Sequence, residues 1–177
     1  MNCYILTGGR STRMGRSKTE LFLDRVAEAA RPVFDEVIAV QRAGGETLAI
    51  TTIFDDERDD VAPIFGVGRA LEHAAARAFI LAVDHALITT AVLSDFRRRF
   101  EESAANMLVP VWRGIPQPLC AGYGPAMLPL IQERIERRKL ALSDLMNEIP
   151  AETFVFDGPE LRNINTPAEL EEAEKDR

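Results

Sequence analysis

The sequence CYILTGGRSTRMGRSKTELFLDRVAEAA occupies residues 3–30. Its first part, Cys3–Thr7, is a short apolar run that predicts a buried β-strand. Two glycines follow this run, and from Lys18 to Ala30 the apolar residues recur at helical spacing. Pro32 then ends the predicted helix. A strand, a glycine turn and a helix in this order are typical of the first unit of an α/β fold.

The alternation of short apolar strands and amphipathic helices continues to the end of the chain. Further strands are predicted at Val37–Val40, Leu48–Phe54, Phe79–Val83, Met107–Trp112, Pro118–Tyr123 and, as an edge strand, Thr153–Phe156. Further helices are predicted at Gly66–Ala78, Thr89–Ser103 and Ala126–Arg138, and a last helix follows a capping box of Thr166 and Glu169 with Pro167 at its first position. This pattern predicts one α/β domain over residues 1–177 with a mostly parallel sheet. Ligands of such sheets bind beyond the carboxyl ends of the strands, here just after Thr7 and Val83.

Composition excludes several classes of protein. The net charge is −7, which argues against broad binding to nucleic acids or membranes. No apolar run approaches the roughly 20 residues that span a bilayer, and the N-terminus lacks the pattern of a signal peptide, so we expect a cytoplasmic location. Reduced thiols at Cys3 and Cys120 suit that location, and we expect Cys120 to be a packed apolar residue rather than a nucleophile.

Positive charge is concentrated at the glycine turn. Residues 1–19 contain no Asp or Glu but carry Arg10, Arg13, Arg16 and Lys18. Glycine backbone N–H groups and these cations together predict a site for phosphate oxygens, although a solvated basic loop is the alternative interpretation. The spacing is neither that of a Walker A loop nor that of a Rossmann Gly-x-Gly-x-x-Gly turn.

The segment Leu6–Lys18 resembles the signature of the molybdenum cofactor guanylyltransferases: two glycines, a few variable residues, Arg-Met-Gly and then Lys. This resemblance implies a three-layer αβα, Rossmann-like sandwich of the nucleotide-diphospho-sugar transferase type. It also assigns roles within the segment. The backbone around Leu6, Thr7 and Gly8 would meet the base and ribose of the nucleotide, and Gly9 would also belong to the nucleotide site. Arg13 and Lys18 would face the phosphates. Thr7 stands where the family has Ala.

Asp84 is the second part of the predicted site, because it immediately follows the apolar run Phe79–Val83. A carboxylate at a strand end, together with nucleotide phosphates, can hold Mg²⁺, which prefers oxygen ligands and keeps several waters. The alternative is an Asp that caps the following turn. The resemblance implies the first role, with Asp84 as the metal ligand. His85 departs from the family pattern, and we expect it to be a loop residue rather than a ligand or a base.

Four further segments carry the resemblance to about residue 170. The family pattern singles out Asp55, or else Asp56, as a contact of the nucleotide. The second strand departs from the pattern, which has a nucleotide-binding Asn near the strand end, and only Gln41 could replace that Asn. The pattern also places Pro63–Gly66 near the nucleotide, and it matches Gln117–Leu119. Asn163 and Asn165 match positions near the metal and the phosphate of the acceptor.

The activity that the resemblance implies is transfer of GMP from GTP to the phosphate of molybdopterin. The two substrates would be its main partners, with transient contacts to other cofactor-biosynthesis proteins or to molybdoenzymes. An ionised phosphate is already a nucleophile, so the reaction needs charge neutralisation by Arg13, Lys18 and Mg²⁺ at Asp84 rather than a strong base. Two alternatives stay open: a related enzyme that uses CTP or a sugar phosphate, and a relative that binds nucleotide without catalysis.

Overall fold

The computed structural model describes residues 1–7, 18–45, 47–55, 60–149 and 151–175. The strands are β1 (Asn2–Leu6), β2 (Val37–Arg42), β3 (Thr52–Asp55), β4 (Ala78–Ala82), β5 (Met107–Trp112), β6 (Ile115–Pro116), β7 (Cys120–Tyr123) and β8 (Glu152–Val155). The helices are α1 (Lys18–Ala30), α2 (Pro63–Ala74), α3 (Thr90–Glu102), α4 (Met127–Glu136), α5 (Leu142–Glu148), a 3₁₀ helix (Pro159–Leu161) and α6 (Pro167–Lys175). Within these ranges, every helix is too short or too polar to cross a membrane.

All eight strands form one sheet. Strands β3, β2, β1 and β4 lie side by side in parallel, and β7 is inserted antiparallel between β4 and β5. Strand β5 also pairs antiparallel with the two-residue β6 and parallel with β8, which makes no other strand pairing in the described part of the chain. The predicted mostly parallel sheet is therefore confirmed, and β1, β2, β3 and β4 end at the same edge.

Helices cover both faces of the sheet, because side chains of a strand alternate between its faces. In β1, Cys3 and Ile5 belong to an apolar cluster with α1, α3 and α6. Tyr4 and Leu6 belong to a second cluster with α2, α4 and α5. The predicted three-layer αβα sandwich is confirmed by these two clusters, one on each face.

Helix α1 has the predicted bounds. Two further predicted helices begin at a threonine cap. Thr89 caps α3, since its hydroxyl oxygen accepts a hydrogen bond from the Val92 N–H (3.3 Å). Thr166 caps α6 in the same way by accepting from the Glu169 N–H (3.1 Å). The predicted start of the last helix at Thr166 and Pro167 is confirmed, but the predicted capping box is only half formed, because the Glu169 carboxylate accepts a hydrogen bond from the N–H of Asn165 and not from that of Thr166.

Two predicted elements differ from the observed bounds by three or more residues at one end or both, whereas the others agree within two residues. The helix predicted over Gly66–Ala78 is α2, which starts at Pro63 because proline fits the first turn of a helix, and stops before Ala75, whose φ of 47° is left-handed. The strand predicted over Leu48–Phe54 is paired only from Thr52. Leu48 and Ile50 pack against the core from irregular chain, and an apolar run does not reveal whether it is buried by pairing or by packing alone.

Three short elements had no predicted counterpart: α5, β6 and the 3₁₀ helix. Helix α5 has seven residues, and Ala141 before it provides no side-chain cap. Its buried residues are Leu142 and Leu145, which pack in the same apolar cluster as α2 and α4. Two apolar residues in one short turn of sequence are too few to define a helical period.

Gly122 in β7 is a position where the packing demands glycine. A Cβ atom there would lie 2.3 Å from Cδ1 of Phe100, which is fully buried and covered by the guanidinium of Arg77, 3.7 Å from the ring centroid. Because the Phe100 ring is fully buried and would have to shift, Gly122→Ala is expected to lower the free energy of unfolding by about 1–3 kcal/mol in denaturant titrations.

Gly68→Ala is the matched control for this substitution. Its Cβ would meet Ile131 and Ile135 at 3.4 and 3.6 Å, which is ordinary van der Waals contact. Since alanine is also the better helix residue, we expect unchanged stability or a gain of up to about 1 kcal/mol. An unchanged unfolding midpoint for Gly122→Ala would show that the Phe100 ring can shift.

Candidate active site

A cavity of about 210 Å³ opens at the sheet edge where the parallel strands end. Four strand ends contribute to it: Leu6 of β1, Val40–Arg42 of β2, Asp55 of β3 and Ala82–Asp84 at the end of β4. The start of α2, the residues just before it (Asp60–Ala62), Lys18 and Leu119 complete the lining. A cavity therefore lies where the sequence analysis expects ligands to bind, beyond the carboxyl ends of the strands.

Gly66 allows the first turn of α2 to come close to β1. A Cβ atom on Gly66 would lie 3.1 Å from a methyl carbon of Leu6, so a larger residue would push the helix away from the cavity wall. Phe65, beside it, is buried and also lines the cavity. The segment Pro63–Gly66, which the sequence placed before a helix, is instead the first turn of that helix and does reach the cavity.

Lys18 and Asp84 face each other at this cavity. The ammonium nitrogen Nζ of Lys18 lies 3.4 Å from Oδ2 of Asp84 and 2.7 Å from Oδ1 of Asn165. The Lys18 and Asp84 side chains are 23% and 25% exposed, so both can still be reached by a ligand. The structure thus brings together three predicted site residues from the start, the middle and the end of the chain.

The carboxylate of Asp84 does not cap the following helix. Helix α3 already has Thr89 as its cap, and the Asp84 carboxylate points to Lys18 instead. The backbone fixes this position, since the carbonyl oxygen of Asp84 accepts a hydrogen bond from the Ile164 N–H (2.8 Å). Asp84 therefore does not cap α3, and the alternative role, an Asp that caps the turn directly after it, stays a prediction.

Two buried threonines hold the ends of the segment between β1 and α1. The N–H and the hydroxyl of Thr7 both donate to the carbonyl oxygen of Val40 (3.1 and 3.0 Å). The hydroxyl of Thr19 donates to the carbonyl oxygen of Thr7 (3.0 Å). Thr7, which stands where the family pattern has Ala, thus ties β1 to β2, and Thr19 keeps Lys18 next to the end of β1.

Gln41 presents an unusual polar group at the cavity. Its side chain is only 6% exposed, and within the described residues its amide oxygen is buried without a hydrogen bond. A buried acceptor of this kind normally has a partner, and this oxygen lies next to Gly45. Arg42 and Asp55, which are register partners at the ends of β2 and β3, lie beside Gln41 in the lining.

His85 and Cys120 are buried groups that the site does not require. Burial lowers the pKa of His85, against the opposing effect of the neighbouring Asp84, so the ring is neutral at pH 7. Burial also raises the pKa of the Cys120 thiol, which disfavours the reactive thiolate. Cys120 lies in the apolar cluster with Cys3, as the sequence predicted for a packed residue.

The predicted site residues divide into three groups. Leu6, Lys18, Asp55 and Asp84 line the cavity, and Asn165 reaches it through Lys18. Thr7 and Asn163 are outside the lining: Thr7 is buried beneath it, and Asn163 is exposed beside Ile164. Gly8, Gly9 and Arg13, together with the alternative residue Asp56, lie outside the described residues.

Sequence reasoning missed part of the cavity wall. Val40, Val61 and Val83 line it, but their apolar side chains are indistinguishable in sequence from core residues. Arg42 and Asp60 also belong to the lining. In the sequence, only their positions could have indicated that they line the cavity, because Arg42 ends β2 and Asp60 lies just before α2.

The chain matches a known family over most of its length. Residues 3–151 match the family model described as the MobA-like NTP transferase domain. The chain belongs to this family. It is accordingly a nucleotidyltransferase, and the resemblance found in Leu6–Lys18 is confirmed.

Individual members of the family align along nearly the whole chain. A Mycobacterium ulcerans protein named "Probable molybdenum cofactor guanylyltransferase" is 31% identical, over 94% of this chain and 89% of its own. Molybdopterin-guanine dinucleotide biosynthesis protein A from Archaeoglobus fulgidus superposes with a TM-score of 0.82 at 22% identity, covering 99% and 97% of the two chains. The 2-C-methyl-D-erythritol 4-phosphate cytidylyltransferase of Thermus thermophilus shares the fold with a TM-score of 0.69 at 16% identity, over 98% and 97%.

Proposed function

We propose that this nucleotidyltransferase transfers GMP from GTP to the terminal phosphate of molybdopterin. The observation that carries the proposal is the meeting of Lys18, Asp84 and Asn165 at the mouth of the strand-end cavity. The names of relatives aligned over 94% of the chain supply the guanine nucleotide and the molybdenum cofactor as substrates.

The cavity suits the nucleoside part of the substrate. Its walls are largely apolar, from Leu6, Val40, Phe65 and Leu119, and can pack against a flat base. The amide of Gln41 and the carboxylate of Asp55 supply polar groups at the same wall. With the base there, the triphosphate extends towards Lys18 and Asp84.

The donor set at Asp84 fits a Mg²⁺ ion held jointly by protein and nucleotide. Asp84 offers one partly exposed carboxylate, and no group of three or more acidic, His or Cys side chains is gathered elsewhere in the described ranges. Mg²⁺ typically takes one or two carboxylates and completes its shell with phosphate oxygens and waters. When bound, the ion would neutralise phosphate charge and orient the triphosphate.

The chemical step makes one P–O bond and breaks another. A phosphate oxygen of molybdopterin forms a bond to the α-phosphorus of GTP, and the bond from that phosphorus to the bridging oxygen breaks, so that pyrophosphate leaves. The nucleophile is already ionised, and the chain therefore needs no general base. Lys18 donates to the phosphate oxygens that gain charge, which is electrostatic stabilisation of the transition state.

The test is incubation of the protein with GTP, Mg²⁺ and molybdopterin, followed by mass spectrometry for the dinucleotide and an assay for pyrophosphate. We expect molybdopterin guanine dinucleotide and an equal amount of pyrophosphate, with much slower reaction when CTP replaces GTP. Preference for CTP would assign the chain to the cytidylyl alternative. Tight GTP binding without pyrophosphate release would favour the non-catalytic alternative.

A further inference from the structure

The geometry points to Glu169 as a positioning residue for Lys18, acting through the side chain of Asn165. This inference rests on the proposed role of Lys18 at the phosphates. Glu169 lies in α6, at the C-terminal end of the described chain, and it does not line the cavity. Its influence on the site would pass through two successive hydrogen-bonded contacts.

The first contact joins Asn165 to Lys18. Nζ of Lys18 donates to Oδ1 of Asn165 at 2.7 Å, which is shorter than its 3.4 Å distance to Asp84. An ammonium group has only donors, so it can bond to Asn165 only if the amide presents its oxygen. The Asn165 amide must therefore be held in one of its two orientations for this contact to exist.

The second contact supplies that orientation. Oε2 of Glu169 accepts a hydrogen bond from the backbone N–H of Asn165 (2.9 Å) and lies 3.5 Å from its side-chain nitrogen Nδ2. A carboxylate only accepts, so it favours the amide nitrogen on its own side and leaves Oδ1 facing Lys18. The hydrogen bond from the Asn165 N–H also lowers the pKa of Glu169, so the carboxylate is ionised at pH 7.

Capping of α6 does not by itself account for this arrangement. The usual capping box returns the N3 carboxylate to the N–H of the capping residue, here Thr166. In this chain the carboxylate reaches one residue further back, to the residue whose side chain meets Lys18. The cap itself is made by Thr166, which accepts from the Glu169 N–H. The Thr166 hydroxyl also contacts the Glu169 carboxylate, but the bond from the Asn165 N–H to that carboxylate does not involve Thr166.

The experiment compares Glu169→Ala with Thr166→Ala in the free, full-length protein. Both changes remove the contact between the Thr166 and Glu169 side chains, but only the first removes the carboxylate that bonds to Asn165. The readout is the rate at which an amine-reactive acylating reagent labels Lys18, followed by peptide mass spectrometry with Lys139 as the internal reference. Because a side chain held by two acceptors is shielded, Glu169→Ala is expected to raise Lys18 labelling several-fold, whereas Thr166→Ala leaves it unchanged.

Turnover supplies the second readout. Glu169→Ala is expected to lower kcat by about tenfold, as loss of an orienting partner commonly does, with the KM for GTP little changed. Glu169→Gln keeps an acceptor oxygen. We therefore expect its kcat and its Lys18 labelling rate to be close to those of the unaltered protein. In the Asn165→Ala background, adding Glu169→Ala should have no further effect, since the two residues act in series.

Equal Lys18 labelling in Glu169→Ala and the unaltered protein would overturn the inference. An equal rise of the Lys18 labelling rate in Thr166→Ala would overturn it as well, because it would show that Glu169 acts only through the start of α6. Labelling needs neither GTP nor molybdopterin, so it separates this inference from the proposed function. If labelling rises as expected but no dinucleotide forms with any variant, the positioning stands and the assigned reaction fails.

Discussion

Asp84→Ala is expected to lower kcat for GMP transfer by about 100-fold or more, with the folded structure retained. The substitution removes the strand-end carboxylate that faces Lys18 and that would hold Mg²⁺ with the nucleotide. The measurement is steady-state dinucleotide formation at saturating GTP and molybdopterin. Asp84→Asn keeps the size of the side chain and should be almost as slow, because charge rather than shape is the required property.

The fold should tolerate this change. The backbone carbonyl of Asp84 keeps its hydrogen bond from the Ile164 N–H, and the side chain is not part of the packed core. Asp24→Ala, on the exposed side of α1, removes the same charge away from the cavity and serves as the control. A rate for Asp84→Ala close to that of Asp24→Ala would exclude the assigned role.

The sequence predicted best those features that depend on local chemistry. Asp84 was placed at the site because an apolar strand leads directly into it, and the sheet edge is where such strands end. The start of α6 followed from Thr166, Pro167 and Glu169, three residues whose capping preferences are strong. These predictions needed only a few neighbouring residues.

Features that depend on tertiary contacts were not predictable in the same way. The contact of Lys18 with Asn165 joins residues 147 positions apart, and the sequence named both without showing that they touch. The start of α2 was misplaced because proline and glycine in Pro63–Gly66 resemble a loop. Glycine at position 66 is there for the close approach of Leu6, which becomes apparent only when the sheet and the helix are packed together.

The hydrogen bond between Glu169 and Asn165, the residue before the helix cap, also depends on tertiary structure. A capping box in sequence predicts a bond to the N–H of Thr166, and the observed bond to Asn165 depends on how the preceding chain crosses the sheet edge. The same segment anchors that edge, since Ile164 donates to the Asp84 carbonyl oxygen. The C-terminal helix therefore belongs structurally to the site, although it is remote from it in sequence.

Lys18→Ala is the second change with a large expected effect, a fall in kcat of about 100-fold or more. Lys18 is the one described cation that touches both Asp84 and Asn165, and its ammonium is the group available to the triphosphate. Lys18→Arg keeps the charge but replaces a compact ammonium by a flat fork, so it should recover only part of the rate. The measurement is again dinucleotide formation at saturating substrates.

Loss of Lys18 should affect catalysis far more than stability. The pair with Asp84 is partly exposed, and such pairs contribute about 0–1 kcal/mol, which denaturant titration of Lys18→Ala would verify. Lys139→Ala removes a lysine that pairs with Glu148 away from the cavity, so this variant should turn over at the normal rate. Near-normal turnover by Lys18→Ala would mean that the transferred phosphate does not depend on this ammonium, and the role assigned to the strand-end cavity would have to be abandoned.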